Sequence, residues 1–321
     1  MAMGSTTGDV GVAAQPAAIG ADREAWREVL ADVAVVTVTP FRGDRLERVD
    51  HDGLRRNLEH VLAGGARLLV AGGNTGEFAS LARVEAIEIA RTHVDVAAGR
   101  ARVLAGIGYR LERAIELGRA SVEAGADGLM VHHPTHPYAS EAGLVDYYEA
   151  IADALPGVPL VLYVRGPQLD VDGARRLARV PSIVGVKMGV ADPARFGRLV
   201  DAAPELAWVC GVAEAWAVPF WRQGSIGFTS GLANIVPERS LELLDSLRAG
   251  DVDLAERLVE RLRSIEALRA RHGDANNVAV IKAGLDLLEL AGGAVRPPLS
   301  GLDAEDRDEL VRILRAMEVP S

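Results

Sequence analysis

Eight short apolar segments recur along the chain, and longer amphipathic segments separate them. The short segments are rich in Val, Leu and Ala, and their polarity does not alternate as it does in a strand with one face in water. Continuous apolar runs of this length are typical of parallel strands that are buried on both faces. The predicted strands cover residues 33–38, 68–71, 103–107, 128–131, 160–164, 183–186, 207–210 and 226–229.

An amphipathic segment follows each predicted strand, and several of these segments carry residues that mark helix ends. Pro193 and Pro237 stand where the first turn of a helix tolerates proline, and Gly99 and Gly125 follow segments that end as helices do. Strict alternation of strand and helix requires a parallel sheet. The predicted helices cover residues 50–63, 83–97, 110–124, 141–154, 172–178, 193–202, 214–223 and 237–248.

The count of eight strand–helix units favours a closed (β/α)₈ barrel over an open sheet, and we place it at residues 26–249. An open doubly wound sheet would need a Gly-rich turn after its first strand, where this chain has Thr-Pro-Phe. Residues 250–321 contain three more helical segments and no strand, so we predict a helical C-terminal extension. Residues 1–25 are predicted to be a disordered tail and not a signal peptide, because they lack a basic start and an apolar stretch. The three helices of the extension are expected at 251–270, 275–290 and 303–317.

Charge and cysteine content exclude some classes of protein. The formal net charge of −10 argues against a nucleic-acid-binding surface, which needs clustered Lys and Arg. The one cysteine, Cys210, allows no intrachain disulfide, which indicates a reducing, cytoplasmic compartment. We interpret Cys210 as a small buried apolar residue in preference to a nucleophile. No apolar run approaches the ~18 residues that a membrane span needs.

In a barrel of this kind, the catalytic residues lie at the C-terminal ends of the strands. The second strand is followed by the sequence GGNTGEF at residues 72–78. Its glycines allow a sharp turn whose backbone N–H groups can bind a carboxylate, and the alternative is an ordinary Gly-rich turn. The candidate carboxylate-binding residues are Gly73, Asn74, Thr75 and Gly76.

Two further strand ends carry reactive side chains. Lys187 follows the sixth strand, where scarce water would favour the neutral amine that attacks a carbonyl carbon to form a Schiff base. Tyr163 ends the fifth strand as a candidate proton relay, and Arg165 after it offers a bidentate contact to a carboxylate. The alternatives are a lysine that extends into solvent, a tyrosine packed on the rim, and an arginine in a surface ion pair.

Histidines and a second lysine offer other candidates. His132, His133 and His136 follow the fourth strand, but they lie in a loop that contains Pro134 and Pro137, so they do not form an HxxxH pair on a helix, and no carboxylate is nearby. We therefore favour contact with substrate or with another subunit over metal binding, and we expect no metal site. Lys282 lies on a predicted helix outside the barrel, and we expect a structural role for it.

Three of these motifs together resemble the dihydrodipicolinate synthase and N-acetylneuraminate lyase family. They are GNTGE at residues 73–77, Tyr163, and GVK at residues 185–187. The resemblance implies a (β/α)₈ barrel with a helical C-terminal region and the chemistry of class I aldolases and dehydratases. It implies that Lys187 forms the Schiff base, Tyr163 relays protons and Thr75 with its neighbouring backbone holds the carboxylate of a 2-keto acid. It also implies a homo-oligomer, either a dimer or a tetramer, and no cofactor.

Within that family the chain is similar to the 5-dehydro-4-deoxyglucarate dehydratase branch. The similarity rests on Arg165, on Thr-Ser at residues 229–230, on Lys-Ala-Gly at residues 282–284 and on VRPPL at residues 295–299. It implies that Arg165 and Ser230 contact the distal end of the substrate. The expected activity is dehydration of a deoxy keto sugar acid, with or without loss of carbon dioxide. The alternatives are aldol cleavage, synthase-like condensation with pyruvate, and a barrel that binds a keto acid without turnover.

The chain departs from the family pattern at several positions. Val164 stands where the family often has Asn, and the dehydratase branch tends to have Asp where this chain has Met188 and Gly where it has Asn74. In the synthases, a tyrosine in the loop after the fourth strand takes part in the proton relay of a neighbouring subunit. This chain has no tyrosine in register with it. Tyr138 and His136 are both candidates to replace that tyrosine. The third alternative is that neither residue replaces it.

Overall fold

A closed barrel of eight parallel strands forms the centre of the molecule. The computed structural model describes residues 20–43 and 45–319. The strands follow one another around the barrel in the order β1-β10-β9-β8-β7-β6-β5-β4, and β4 returns to β1. Strands β2 and β3 form a separate two-stranded antiparallel hairpin. The ten strands are β1 Val33–Val36, β2 Phe41–Arg42, β3 Arg48–Val49, β4 Leu68–Ala71, β5 Arg102–Ile107, β6 Gly128–Val131, β7 Leu160–Val164, β8 Ile183–Met188, β9 Ala207–Cys210 and β10 Gly227–Ser230.

Helices surround the barrel and continue beyond it in the C-terminal part. Aspartates begin several of them, because a carboxylate oxygen accepts hydrogen bonds from free N–H groups of the first turn. The helices are α1 Arg23–Leu30, α2 His51–Ala63, α3 Arg83–Ala97, α4 Leu111–Glu123, α5 Glu141–Ala154, α6 Val171–Leu177, α7 Pro193–Ala202, α8 Ala217–Trp221, α9 Pro237–Arg248, α10 Val252–Asp274, α11 Asn277–Leu287 and α12 Ala304–Ala316.

The predicted (β/α)₈ barrel is confirmed, with differences at the ends of elements. The predicted sixth strand stopped at residue 186, whereas β8 continues to Met188, so Lys187 lies inside the strand. The hairpin formed by β2 and β3 was not predicted, because strands of two residues carry no periodic pattern. Among the described residues, no helix is both long and apolar enough to span a membrane.

The predicted disordered tail extends too far into the chain. Helix α1 begins at Arg23, with the Asp22 side chain accepting hydrogen bonds from its first turn. Trp26 and Leu30 are buried against the residues that fill the barrel interior, so α1 closes the N-terminal end of the barrel. Residues 20–25 are therefore ordered, because burial of a Trp and a Leu stabilises a short helix that would not persist alone. Residues 1–19 lie outside the described part of the chain.

Helices α10, α11 and α12 pack over one side of the barrel, close to the C-terminal ends of its strands. Their apolar side chains form a second core with Val38, which follows β1, and with Leu232 and Ile235, which follow β10. Helix α10 is interrupted by non-helical backbone at Arg271–Gly273, where the chain turns toward α11. The C-terminal extension thus lies beside the strand ends at which a barrel of this kind carries its chemistry.

Candidate active site

Lys187 projects into the barrel at the C-terminal end of the strands. In the β7–β8 ladder it lies opposite Tyr163, which belongs to the cluster that fills the barrel interior. Lys187 is only 4 % exposed, and its Nζ lies 4.1 Å from the centre of the Tyr163 ring. Burial, together with the nearby guanidinium of Arg165, lowers the pKa of Lys187 to about 7. Much of this amine is therefore neutral at physiological pH, which is the form that attacks a carbonyl carbon.

Tyr163 connects the lysine with the Gly-rich turn. Its side chain is buried, and its hydroxyl oxygen accepts a hydrogen bond of 3.3 Å from Nδ2 of Asn74. Burial raises the pKa of Tyr163 above its usual value, so the phenol keeps its proton at neutral pH. A protonated phenol beside the amine can donate a proton to a leaving group and recover it later.

Four carbonyl groups of the Gly-rich turn after β4 accept hydrogen bonds from other parts of the protein or of the turn. Nε2 of His132 donates to the Gly72 carbonyl at 2.9 Å, and the hydroxyl of Thr39 donates to the Gly76 carbonyl at 2.8 Å. Backbone N–H groups within the turn bond to the carbonyls of Gly73 and Asn74. With these carbonyls engaged, the turn can present its remaining N–H groups to a ligand.

Those N–H groups form a candidate carboxylate site. No acceptor within residues 20–43 and 45–319 is bonded to the backbone N–H groups of Gly73, Asn74, Thr75 or Gly76. The close packing requires glycine, since a Cβ on Gly76 would lie 2.8 Å from the Thr37 carbonyl oxygen. We define residues 73–76 as the nest, because successive N–H groups in such a turn form a concave anion-binding surface.

His132, which was predicted to contact either substrate or another subunit, forms one wall of the site. Its ring stacks on Phe78 at 4.2 Å and meets Tyr163 edge-on at 5.9 Å. Burial lowers the pKa of His132 to about 3, so the ring stays neutral across the physiological range. Its position directly after β6 was the only sequence signal for this role, and the sequence did not indicate that the ring would bind the Gly72 carbonyl.

Arg165 lies at the rim, directly after β7. Its side chain is exposed, and it forms no ion pair with any residue in the described ranges. It lies close enough to influence the pKa of Lys187, Tyr163 and His132. An exposed guanidinium at this place can bind a second anionic group of a ligand whose first carboxylate lies in the nest.

Ser230 does not join the site, which corrects the prediction that it contacts the substrate. It follows Thr229 in β10, and Thr229 lies opposite the inward-facing Ala34, so Ser230 points outward to the helices. Its hydroxyl is fully buried, accepts a hydrogen bond from the Ala233 N–H at 2.8 Å and lies 3.2 Å from the Ser240 hydroxyl. Side chains alternate along a strand, and a uniformly apolar segment gives no sign of which alternate set faces inward.

The other candidates are separated in space. His133 is half-buried and His136 is exposed, so the three histidines of the loop do not converge on one point with the buried His132. Cys210 is fully buried, and burial raises the pKa of its thiol to about 12, which keeps it protonated and poorly nucleophilic. Lys282 is also buried, and its amine bonds to Glu77 and to the carbonyl of Ala294.

Comparison with known proteins places this arrangement in a family. Residues 29–317 match the model of the dihydrodipicolinate synthetase family. The chain belongs to this family. It is 34 % identical over 284 residues to a 4-hydroxy-tetrahydrodipicolinate synthase of Methanoculleus marisnigri, an alignment covering 86 % of this chain and 96 % of the relative. It is 35 % identical over 286 residues to a protein of Methylobacterium radiotolerans named probable 5-dehydro-4-deoxyglucarate dehydratase, covering 86 % and 92 % of the two chains.

A solved structure agrees with the family membership. Dihydrodipicolinate synthase from Oceanobacillus iheyensis superposes with a TM-score of 0.89 at 36 % identity, covering 93 % of this chain and all of the other. The family comprises enzymes of the class I aldolase type, so the resemblance stated from the sequence motifs is confirmed. The relatives carry both synthase and dehydratase names, and the substrate therefore has to be argued from the site itself.

Proposed function

We propose that the protein is a Schiff-base lyase that dehydrates a deoxy keto sugar acid such as 5-dehydro-4-deoxyglucarate, with or without loss of carbon dioxide. One observation carries the proposal: the buried amine of Lys187 lies 4.1 Å from the ring centre of Tyr163, whose hydroxyl bonds to Asn74 of the nest. A nucleophilic amine, a phenol and a carboxylate-binding turn are the groups that a 2-keto acid requires for imine chemistry.

The first half of the reaction forms an imine at Lys187. The neutral amine attacks the C2 carbonyl carbon of the keto acid, and the carbonyl oxygen leaves as water. The nest binds the adjacent carboxylate and so orients C2 and C3. The phenol of Tyr163 donates the proton with which the carbonyl oxygen leaves and becomes a phenolate. The protonated imine accepts electrons, so the C3 proton becomes acidic. The Tyr163 phenolate removes that proton, which gives an enamine and restores the phenol.

The second half expels the C4 hydroxyl group. The enamine electron pair forms a double bond between C3 and C4, and the C4–O bond breaks. The phenol of Tyr163 donates its proton to the departing hydroxide, which leaves as water. Hydrolysis of the imine then releases the dehydrated keto acid and restores the amine of Lys187.

Arg165 supports a substrate with a second carboxylate. Its exposed guanidinium forms no ion pair with the described residues and lies at the rim near Lys187. A sugar acid with a carboxylate at each end would place one group in the nest and the other against Arg165, where a bidentate contact is available. The alternative activity, condensation with pyruvate, is favoured by the synthase names of several relatives.

The test begins with imine trapping. The protein is incubated with pyruvate, reduced with borohydride and analysed by intact mass and peptide map. The chain contains only two lysines, Lys187 and Lys282, so the modified residue is assigned without ambiguity. We expect one adduct on the Lys187 peptide and none in Lys187→Met. An adduct confined to Lys282, or full turnover by Lys187→Met, would contradict the proposal.

The reaction type is then separated with 5-dehydro-4-deoxyglucarate. Dehydration gives a product that has lost water, and release of carbon dioxide is measured in the same sample. Aldol cleavage would instead release pyruvate, and a non-catalytic binding protein would form the adduct without product. Light scattering in the same buffer measures whether the protein is the dimer or tetramer that we propose.

A further inference from the structure

The second lysine of the chain lies close behind the nest. Lys282, on α11, is 1 % exposed, and its amine lies 2.5 Å from Oε1 of Glu77. Glu77 is the residue that directly follows the nest, 205 positions earlier in the chain. The same amine donates to the Ala294 carbonyl at 2.8 Å and lies 4.4 Å from the centre of the Phe41 ring. Its contacts therefore enclose the amine, and Lys282 is not placed to attack a ligand.

Glu77 has a backbone conformation that needs external support. Its φ of 57° and ψ of 38° lie in the left-handed region, which is unfavourable for a residue that carries a Cβ. In this conformation its N–H bonds to the Asn74 carbonyl at 3.0 Å and closes the turn. The geometry of the nest thus depends on Glu77 remaining where it is.

Both carboxylate oxygens of Glu77 are held by the C-terminal segment. Oε1 accepts from Lys282, and Oε2 accepts from the backbone N–H of Arg296 at 2.8 Å. The Arg296 guanidinium in turn forms a bidentate pair with Glu85 at 2.7 and 2.8 Å. A buried carboxylate with both oxygens engaged by charged and backbone donors is fixed in position.

We propose that Lys282 is a positioning residue for the active site, and that its ion pair with Glu77 holds the nest in the shape that binds the keto-acid carboxylate. The C-terminal extension would then be part of the catalytic apparatus and not only a cover for the barrel. The inference rests on the proposed function for its ligand, but the shape of the nest can be measured without any ligand.

The variant Lys282→Met removes the charge and keeps a chain of similar length. Arg102→Met is the matched control, because Arg102 pairs with Asp127 at 2.6 Å at the start of β5, the opposite end of the barrel. Trapping with pyruvate and borohydride gives the pyruvate concentration at half-maximal adduct. We expect Lys282→Met to raise that concentration about tenfold or more, because a displaced nest binds the carboxylate poorly. The adduct should remain on Lys187, and Arg102→Met should stay near the wild-type value.

Hydrogen exchange of the peptide containing residues 72–78 supplies the ligand-free readout. We expect faster exchange there in Lys282→Met than in the wild type, and no such change in Arg102→Met. If Lys282→Met does not fold, Glu77→Gln replaces it, since the amide that it introduces is uncharged and has one acceptor oxygen, which can bond to Lys282 or to the Arg296 N–H but not to both.

Each outcome decides one of the two proposals. Equal half-saturation values in Lys282→Met and Arg102→Met, or unchanged exchange at residues 72–78, would overturn the positioning role and leave the Schiff-base function intact. A wild-type protein that forms no adduct would refute the Schiff-base function, and the exchange measurement would then decide the role of Lys282 alone.

Discussion

The rate of imine formation should rise with pH through the pKa of Lys187, because only the neutral amine attacks. A pKa of about 7 leaves roughly three quarters of this amine unprotonated at pH 7.5 and roughly a tenth at pH 6. An ordinary lysine with a pKa of about 10.4 would leave about one part in a thousand unprotonated at pH 7.5. Burial at the barrel mouth and the Arg165 guanidinium together therefore account for a difference of several hundredfold in the concentration of reactive amine.

The assay measures adduct formation at limiting pyruvate. Samples are taken at timed intervals and quenched into borohydride at one fixed pH, so that the reduction step is the same throughout. We expect a plateau above pH 8 and a midpoint near 7. Arg165→Leu should move the midpoint upward, because the Arg165 guanidinium helps to lower the pKa of Lys187. The exposed variant Arg175→Leu serves as the control.

Two results would refute this reasoning. A rate that still climbs at pH 10 would mean that the amine of Lys187 is hydrated and its pKa is that of an ordinary lysine. A midpoint unchanged in Arg165→Leu would mean that the Arg165 guanidinium lies too far from the amine to influence it.

Two further predictions concern buried groups. Lys187→Met should abolish the adduct and stabilise the fold. The pKa of Lys187 is about 7 in the folded state and about 10.4 in the unfolded state, which lowers the free energy of unfolding by about 4 kcal/mol at pH 7.5. This destabilisation disappears as the pH rises to about 10.4. Urea unfolding of both proteins at pH 7.5 and 10.5 measures the difference, and equal stability at pH 7.5 would contradict the burial argument. Cys210, fully buried with the pKa of its thiol raised to about 12, should not react with iodoacetamide until the protein is denatured, as mass spectrometry would show.

Fold class could be predicted from the sequence because a parallel barrel strand is buried on both faces. Six of the eight barrel strands, β1, β4, β6, β7, β8 and β9, begin at the residue where the apolar segment begins. Helix α1 was not predicted, because it is stabilised by the packing of Trp26 and Leu30 against the barrel interior and shows no repeating apolar pattern. The candidate site shows the same division. Residues at strand ends could be identified from the sequence, but the directions of their side chains could not.

The register between β7 and β8 is an example of what only the tertiary structure decided. Leu160 pairs with Ile183, and a shift directly after it pairs Val161 with Gly185. Without that irregularity Tyr163 would lie opposite Val186, and because of it Tyr163 lies opposite Lys187. A local irregularity in a ladder leaves no mark in an apolar sequence, although it brings the phenol beside the amine.

The sequence by itself determined the barrel architecture and the reactive side chains at the strand ends, because apolar patterns and residue types can both be read from the linear sequence. The tertiary structure decided which of those side chains meet. In the folded chain Ser230 points away from the barrel mouth, the ring of His132 forms a hydrogen bond with the Gly72 carbonyl, and Lys282 forms an ion pair with Glu77. These contacts link residues far apart in the chain, and their pairing depends on how strands and helices pack, which no local pattern encodes.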